Sequence, residues 1–179
     1  MIKKLALIIG FIICLSSCGK DYVYRIEGEL SNLEDQTVYA VFEKDNYKVV
    51  DTVVCTKPGQ FQIDQNEAGF HCVTIFFADK EHWVTAYLEP GETVKITGDA
   101  NSPLLLQVKG GRTNDKLTAF KKKIAPLLTE LTNLSNSLNS KDLNDTIEET
   151  DIAARLANVN MQLSEEAIRY VKENPDEEV

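Results

Sequence analysis

The sequence is poor in the residue types that carry catalysis or bind metal ions. Its 179 residues include only two histidines and four cysteines, which is little material for a metal centre or an activated nucleophile. No Gly-x-Ser-x-Gly nucleophile elbow, P-loop or Rossmann glycine fingerprint occurs in it. These absences argue against an autonomous enzyme, and the sequence predicts no metal and no cofactor.

Positive charge is also scarce, since 28 acidic residues stand against 19 basic ones and the net charge is −9. An acidic surface repels the phosphate backbone, so nucleic acid is excluded as a partner. Hydrophobic residues make up 43% of the chain, which is enough for a globular core and excludes a wholly disordered protein. The length allows one domain, or one domain with an appendage.

The N-terminus has the pattern of a bacterial lipoprotein signal. Lys3 and Lys4 precede the apolar run Leu5–Leu15, which is shorter than the roughly 20 residues that a membrane-spanning helix needs. The run ends in the lipobox-like LSSC at residues 15–18. This pattern predicts a signal peptide over residues 1–17 and acyl chains, such as palmitate, on Cys18. A plain signal peptide and a buried N-terminal strand with a chance cysteine are the alternatives.

Lipidation would place the protein in the cell envelope, with residues 18–21 as a tether. Acyl chains on Cys18 would hold it to the inner or outer membrane, facing the periplasm or the cell surface. That compartment is oxidising, so the remaining cysteines are able to pair.

Residues 22–109 show short alternating segments separated by turn residues, as in a half-buried antiparallel sheet. Pro58 and Gly59, for example, favour a tight reversal between two of these segments. The predicted strands are Tyr22–Leu30, Gln36–Phe42, Tyr47–Thr56, a segment around Phe61 and Ile63, Phe70–Phe77, Trp83–Leu88, Thr93–Thr97 and Leu104–Val108. Eight strands at about ten-residue spacing predict an antiparallel β-sandwich or open barrel.

Residues 110–179 have a different period, with leucines every three or four residues and no glycine from Thr113 onward. This spacing predicts a helix capped by Thr113 or Asn114 and kinked at Pro126. A second apolar stripe follows, and the two helices should form an antiparallel hairpin. The fold class is therefore α+β. An intermolecular coiled coil is the alternative use of the leucines.

Cys55 and Cys72 are the thiols left once residues 1–17 are removed and Cys18 is acylated. Their spacing does not resemble the Cys-x-x-Cys of a redox site, and each lies in an apolar strand. Buried thiols, a structural disulfide and redox catalysis remain open, in that order of preference. His71 and Cys72 are neighbours on a strand and point to opposite faces, so a shared metal ion is not expected.

Two other patterns invite a functional interpretation. Trp83, Tyr87, Phe76 and Phe77 are aromatic residues that either line a binding face or, as is more common in strands, fill the core. The segment from Asp142 to Thr146 imitates the start of a calcium loop but lacks its glycine and closing glutamate, so no calcium site is expected.

The order of several segments resembles a known family. The LSSC lipobox, YRIEGELSNLEDQTVYAVF, VDTVVCTKPGQFQI, LEPGETVKITGD and VKGGRTND before a long helix are similar to the N-terminal domain of unknown function that precedes the thioredoxin-like domain in ResA/TlpA, AhpC/TSA-type thiol-disulfide interchange lipoproteins. The final VKENPD resembles the linker to that domain. The catalytic Trp-Cys-x-x-Cys of the family lies beyond Val179, so no catalytic residue carries over.

This resemblance implies a lipid-anchored, non-catalytic module that binds or positions a partner. The alternative is the accessory half of a thiol-disulfide oxidoreductase whose thioredoxin-like domain is truncated or supplied in trans. A ligand-binding or surface-assembly sandwich is a third hypothesis. The expected partners are the membrane, through the anchor, and an envelope or thioredoxin-like protein. The resemblance also implies O-glycosylation at Asp-Thr pairs, which points to Thr52 and Thr146.

Overall fold

The computed structural model describes residues 23–34, 37–77, 81–140 and 146–175. The predicted signal peptide, Cys18 and its tether lie outside the described residues, as does most of the calcium-loop-like segment. Thr146 begins the second helix, but its side chain is also outside the description.

Eight strands form in the first part of the described chain, as the alternating pattern predicts. They are β1 (Tyr24–Ser31), β2 (Thr37–Glu43), β3 (Lys48–Val54), β4 (Gln60–Gln65), β5 (Cys72–Phe76), β6 (Trp83–Tyr87), β7 (Thr93–Asp99) and β8 (Gln107–Lys109). The first sheet has the order β4-β1-β7-β8 and the second β3-β2-β5-β6. Two long helices follow, so the prediction of an α+β protein with an N-terminal sandwich and a helical hairpin is confirmed.

The first sheet contains one pair of strands that run in the same direction. β1 lies between β4, which is antiparallel to it, and β7, which is parallel, with Arg25 opposite Thr93 and Ser31 opposite Asp99. A strictly antiparallel sandwich was the expectation from sequence. Strands joined by a tight hairpin must be antiparallel. β1 and β7 are not joined in this way, because strands of the second sheet lie between them in the chain, so they are able to run in parallel.

The core lies between the two sheets and takes alternate residues from each strand. Period-two alternation puts one face of every strand inside, so the apolar residues of each segment gather on one side. The largest fully buried side chains of the sandwich are Tyr24, Ile26, Val38, Phe42, Val73, Ile75, Val94, Ile96 and Leu106.

The last predicted strand is shorter than its apolar pattern indicated. Pro103–Leu105 form a 3₁₀ turn, with proline at the start where its missing N–H costs nothing, and β8 begins only at Gln107. Leu106 is then buried in the core, while Leu104 points to solvent.

Glycine is required where β8 gives way to the first helix. Gly110 has φ of 100°, and a Cβ placed on it would lie 2.1 Å from the carbonyl oxygen of Thr93. A side chain here would therefore be strained by both the backbone conformation and the contact with β7. This close approach fixes the position at which the helix leaves the sandwich.

Helices α1 (Arg112–Ser140) and α2 (Thr146–Glu173) pack against each other through their apolar stripes. Leu134, Ile152 and Val159 are buried between them, with further leucines packed around these three. Helix α1 continues through Pro126. The leucine pattern is thus used inside the chain, where it packs the antiparallel hairpin.

Two ion pairs link the helices of the hairpin. Arg155 lies 3.1 Å from Glu130, and Lys123 lies 3.3 Å from Glu166.

Among the helices of the described residues, none has the length and apolar character needed to cross a membrane.

Candidate functional site

Cys55 and Cys72 lie at opposite ends of the second sheet. Cys55 follows β3, whose Val54 pairs with Thr37 at the start of β2, whereas Cys72 pairs with Glu43 at the end of β2. Six residues along a strand span about 20 Å, and a disulfide needs Cα atoms within about 7 Å. Both thiols are half-buried, and the structure places them apart rather than in a disulfide.

The surroundings of Cys72 disfavour its reactive form. Burial raises the pKa of the Cys72 thiol, and the neighbouring Glu43 carboxylate raises it further because a thiolate would be repelled there. A cysteine nucleophile needs the opposite arrangement, with positive charge nearby and a lowered pKa. Cys72 therefore has the character of a packing residue.

His71 is paired on the surface just before β5. Its Nε2 lies 2.8 Å from Asp45 Oδ1, and both side chains are exposed to solvent. Within the residues that the structure describes, no group of three His, Cys, Asp or Glu side chains is placed to hold a metal ion.

The two outer faces of the sandwich differ sharply in character. The outer face of the first sheet carries charged side chains, among them Arg25, Glu27, Asp64 and Lys95, of which Arg25 and Asp64 form a two-bonded pair across β1 and β4. The outer face of the second sheet is mostly apolar and aromatic. Its residues, apart from the Lys48–Glu43 ion pair at one end, include Tyr39, Val41, Val50, Thr52, Val54, Thr74, Phe76, Trp83, Thr85 and Tyr87.

An aromatic row crosses the apolar face of the second sheet. The register places Tyr39 beside Phe76 and Phe76 beside Trp83, and the last two rings have centroids 6.1 Å apart. Trp83 is 53% exposed and Val54 is 67% exposed, although both are large apolar side chains. Of the four aromatic residues noted in the sequence, Phe76, Trp83 and Tyr87 lie on this outer face. Phe77 lies in the core.

Thr52, one of the two predicted glycosylation sites, is exposed on the same apolar face of the second sheet. Its partner in the motif, Asp51, is half-buried on the other side of β3, since consecutive strand residues alternate. The hydroxyl of Thr52 is therefore accessible from solvent, whereas the side chain of Thr146 lies outside the described residues.

A groove runs along β6, an edge strand of the sheet that the structure describes, where the apolar face meets helix α1. We call it the β6 groove. Its volume is about 430 Å³, within the range of ligand sites. Its walls include Trp83, Thr85, Leu104, Leu117, Phe120 and Lys121.

Asn114 closes one end of the β6 groove. Its side chain accepts the Tyr87 N–H at 2.9 Å and donates to the Tyr87 carbonyl at 2.7 Å, as a neighbouring strand would. It also donates to the Gly110 carbonyl at 2.6 Å. Asn114 is only 2% exposed, so the residue expected as a helix cap instead joins α1 to the edge of the second sheet.

Lys121 is the cationic group of the groove. Burial lowers the pKa of its amine, which donates to the Leu106 carbonyl at 3.3 Å. Little in the sequence indicates this role, because Lys121 is the first of three consecutive lysines, of which Lys122 and Lys123 are exposed. The available signal was its helical spacing of four residues from Leu117, which places both on the inner side of α1.

Comparisons with known proteins identify the domain. Neither a curated protein nor a solved structure matches the chain. One family model does, over residues 24–117, which run from the first residue of β1 into the first turns of α1 and so include both sheets and Asn114. The chain therefore belongs to the family described as a domain of unknown function, DUF4369.

Proposed function

We propose that this protein is a lipid-anchored cell-envelope protein whose β-domain is a non-catalytic binding and positioning module. The observation that carries the proposal is the contrast between the two outer faces of the sandwich. One face is charged, as a solvated surface is, whereas the other exposes Val50, Val54 and Trp83 beside a row of aromatic rings. Contiguous exposed apolar surface of this kind marks a site that another molecule covers.

The polar groups of the described residues support a non-catalytic role. The two thiols lie about 20 Å apart by strand geometry, and the pKa of Cys72 is raised rather than lowered. His71 is paired with Asp45 on the open surface, where water screens it. None of these groups has the nucleophile–base geometry that covalent catalysis requires.

The proposed anchor rests on the LSSC sequence at residues 15–18 and the basic, apolar segment before it. β1 begins at Tyr24, so a lipid on Cys18 would hold the sandwich close to the membrane surface. A second candidate function is the accessory half of a thiol-disulfide oxidoreductase. The apolar face favours it, because a thioredoxin-like domain supplied in trans would need such a surface to dock on.

The anchor is tested by expressing the full chain in a Gram-negative host and comparing it with Cys18→Ala. We expect radiolabelled palmitate to be incorporated only into the wild type, and only the wild type to partition into the detergent phase. Equal partitioning of the two proteins would contradict the anchor.

The binding face is tested by site-specific photo-crosslinking in intact cells. A photoreactive side chain replaces Val54 on the apolar face or, as a matched control, Glu29 on the exposed, charged face. We expect discrete adducts from position 54 and none from position 29. Equal labelling from both positions would refute the assignment of the face.

Catalysis is tested by insulin reduction with the mature chain. We expect no turnover above that of buffer with reductant. Turnover that disappears in Cys72→Ser would replace the non-catalytic proposal with a redox function.

A further inference from the structure

Among the described residues, no strand pairs with the outer side of the β6 backbone, which faces the β6 groove. Phe77 donates to the His82 carbonyl and Leu88 donates to the His71 carbonyl, so residues 82, 84, 86 and 88 bond to β5. In an antiparallel strand the intervening residues must direct their N–H and C=O groups away. Those residues are Trp83, Thr85 and Tyr87, of which Tyr87 is taken by Asn114.

Asn114 shows what this edge accepts. Its amide supplies one acceptor and one donor to Tyr87, which is the pair of bonds that a residue of an added strand would make. The next outward-facing residue along β6 is Thr85, followed by Trp83, and both line the groove. The outward N–H and C=O groups of Thr85 and Trp83 therefore continue, along the groove, the hydrogen-bonding pattern that Asn114 satisfies at Tyr87.

The walls of the groove indicate the side chains of an occupant. Leu117 and Phe120 provide an apolar wall from α1, and Leu104 provides one from the 3₁₀ turn. Lys121 adds a positive charge, and among the described residues its amine has one hydrogen-bond acceptor, the Leu106 carbonyl. An ammonium group has three donors, so it retains the capacity to bind a carboxylate.

We propose that the β6 groove binds an extended peptide segment that adds a strand to the second sheet, with apolar side chains against α1 and an acidic side chain at Lys121. The proposal deepens the binding function proposed above and rests on it. Strand addition supplies affinity through main-chain hydrogen bonds and specificity through the pockets for alternate side chains. Lys121 supplies the charge selection, because a charge-assisted hydrogen bond is stronger than a neutral one.

Trp83 makes the proposal directly measurable, since it is the single tryptophan of the chain and lines the groove. The probes are capped eight-residue peptides that alternate valine and threonine, with aspartate, asparagine or lysine at a central position. They are titrated into the mature protein while tryptophan emission is followed. We expect a saturable blue shift, with the aspartate peptide binding about tenfold more tightly than the lysine peptide.

Two protein variants separate the backbone contribution from the charge. Thr85→Pro removes an N–H that points away from β5, so the sheet keeps its own hydrogen bonds, as proline is tolerated at strand edges. Its matched control is Gln62→Pro on β4, an edge strand of the charged first sheet, because the N–H of Gln62 likewise points away from its neighbouring strand. We expect Thr85→Pro to weaken binding about tenfold and Gln62→Pro to leave it unchanged. Lys121→Met should abolish the preference for aspartate over lysine.

A backbone N-methylated aspartate peptide provides the same test without altering the protein, and it should bind about tenfold more weakly. Absence of any blue shift, or equal binding of the aspartate and lysine peptides, would overturn the proposal. Tighter binding of dodecanoate than of any peptide, unaffected by Thr85→Pro, would also overturn it in favour of an amphiphile site. Crosslinking from position 54 would persist in each of these cases if the broader binding function holds.

Discussion

Replacing Asn114 with alanine should show how the helical hairpin is attached to the sandwich. The side chain is 2% exposed and makes three hydrogen bonds, two to the Tyr87 backbone and one to the Gly110 carbonyl. Asn114→Ala removes all three and leaves the N–H and C=O of Tyr87 without their partner. The substitution thus deletes a polar bridge between α1 and β6 while it removes little apolar contact.

The expected cost follows from these three hydrogen bonds. Each contributes about 0.5–1.5 kcal/mol net, so the three together contribute about 3 kcal/mol at the middle of that range. Alanine returns about 0.5–0.7 kcal/mol through its higher helix propensity. The free energy of unfolding should therefore fall by about 2–3 kcal/mol, which for a domain of this size lowers the melting temperature by about 4–12 °C.

The assay is urea denaturation of the mature chain followed by circular dichroism and by Trp83 fluorescence. Asn133→Ala is the matched control, because Asn133 is exposed on the same helix, and it should show only the gain of about 0.5–0.7 kcal/mol from helix propensity. A loss below 1 kcal/mol for Asn114→Ala would refute the reasoning. It would mean that α1 is held to the sandwich by apolar packing alone.

Three further predictions concern Gly110 between β8 and α1, the Arg25–Asp64 ion pair and the Cys72 thiol. Gly110→Ala should destabilise the protein by about 3 kcal/mol or more in urea denaturation. Gly91→Ala is the control, because its φ is also positive but its added Cβ would meet no atom within 4 Å. It should cost about 1–2 kcal/mol. The Arg25 guanidinium holds the pKa of Asp64 below its usual range, so this stabilisation is present above about pH 4 and is lost as pH falls through the lowered value. Asp64→Asn should therefore cost about 0.5–1 kcal/mol at pH 7 and nothing in strong acid, and a constant difference across this range would contradict the assignment. Iodoacetamide should alkylate Cys72 more slowly at pH 8 than it alkylates a cysteine peptide, because the pKa of the thiol is raised; equal rates by mass spectrometry would exclude that environment.

The strands were predictable from sequence because burial on one side imposes a period of two. Phe61 and Ile63 alternate with polar residues, and both are in the core. Alternation says nothing about which strands pair, so the parallel alignment of β1 and β7 could not be foreseen. The same limit explains the 3₁₀ turn, where Pro103 and Leu104 continue an apolar run but leave the sheet.

The candidate site was only half predictable. Phe76 and Phe77 are consecutive, so one had to face each side of the sheet, but only the position of the first sheet decides that Phe77 is the buried one. Asn114 had the local sequence of a cap, and its actual partner, Tyr87, lies 27 residues away. A site built from an edge strand and a helix depends on such distant contacts, which a sequence pattern of short range does not contain.

The position of β1 between β4 and β7 affects the order in which the chain folds during synthesis. All strands of the second sheet are available once Tyr87 has been synthesised, but β1 has no neighbour on its second side until Thr93–Asp99 follow. Closing so long a loop is slow compared with forming hairpins. A nascent chain that stops near residue 90 would therefore carry a finished second sheet whose inner apolar side is covered only by β1 and β4. Partly exposed apolar surface of this kind makes a chain prone to aggregation and is the reason why chaperones exist.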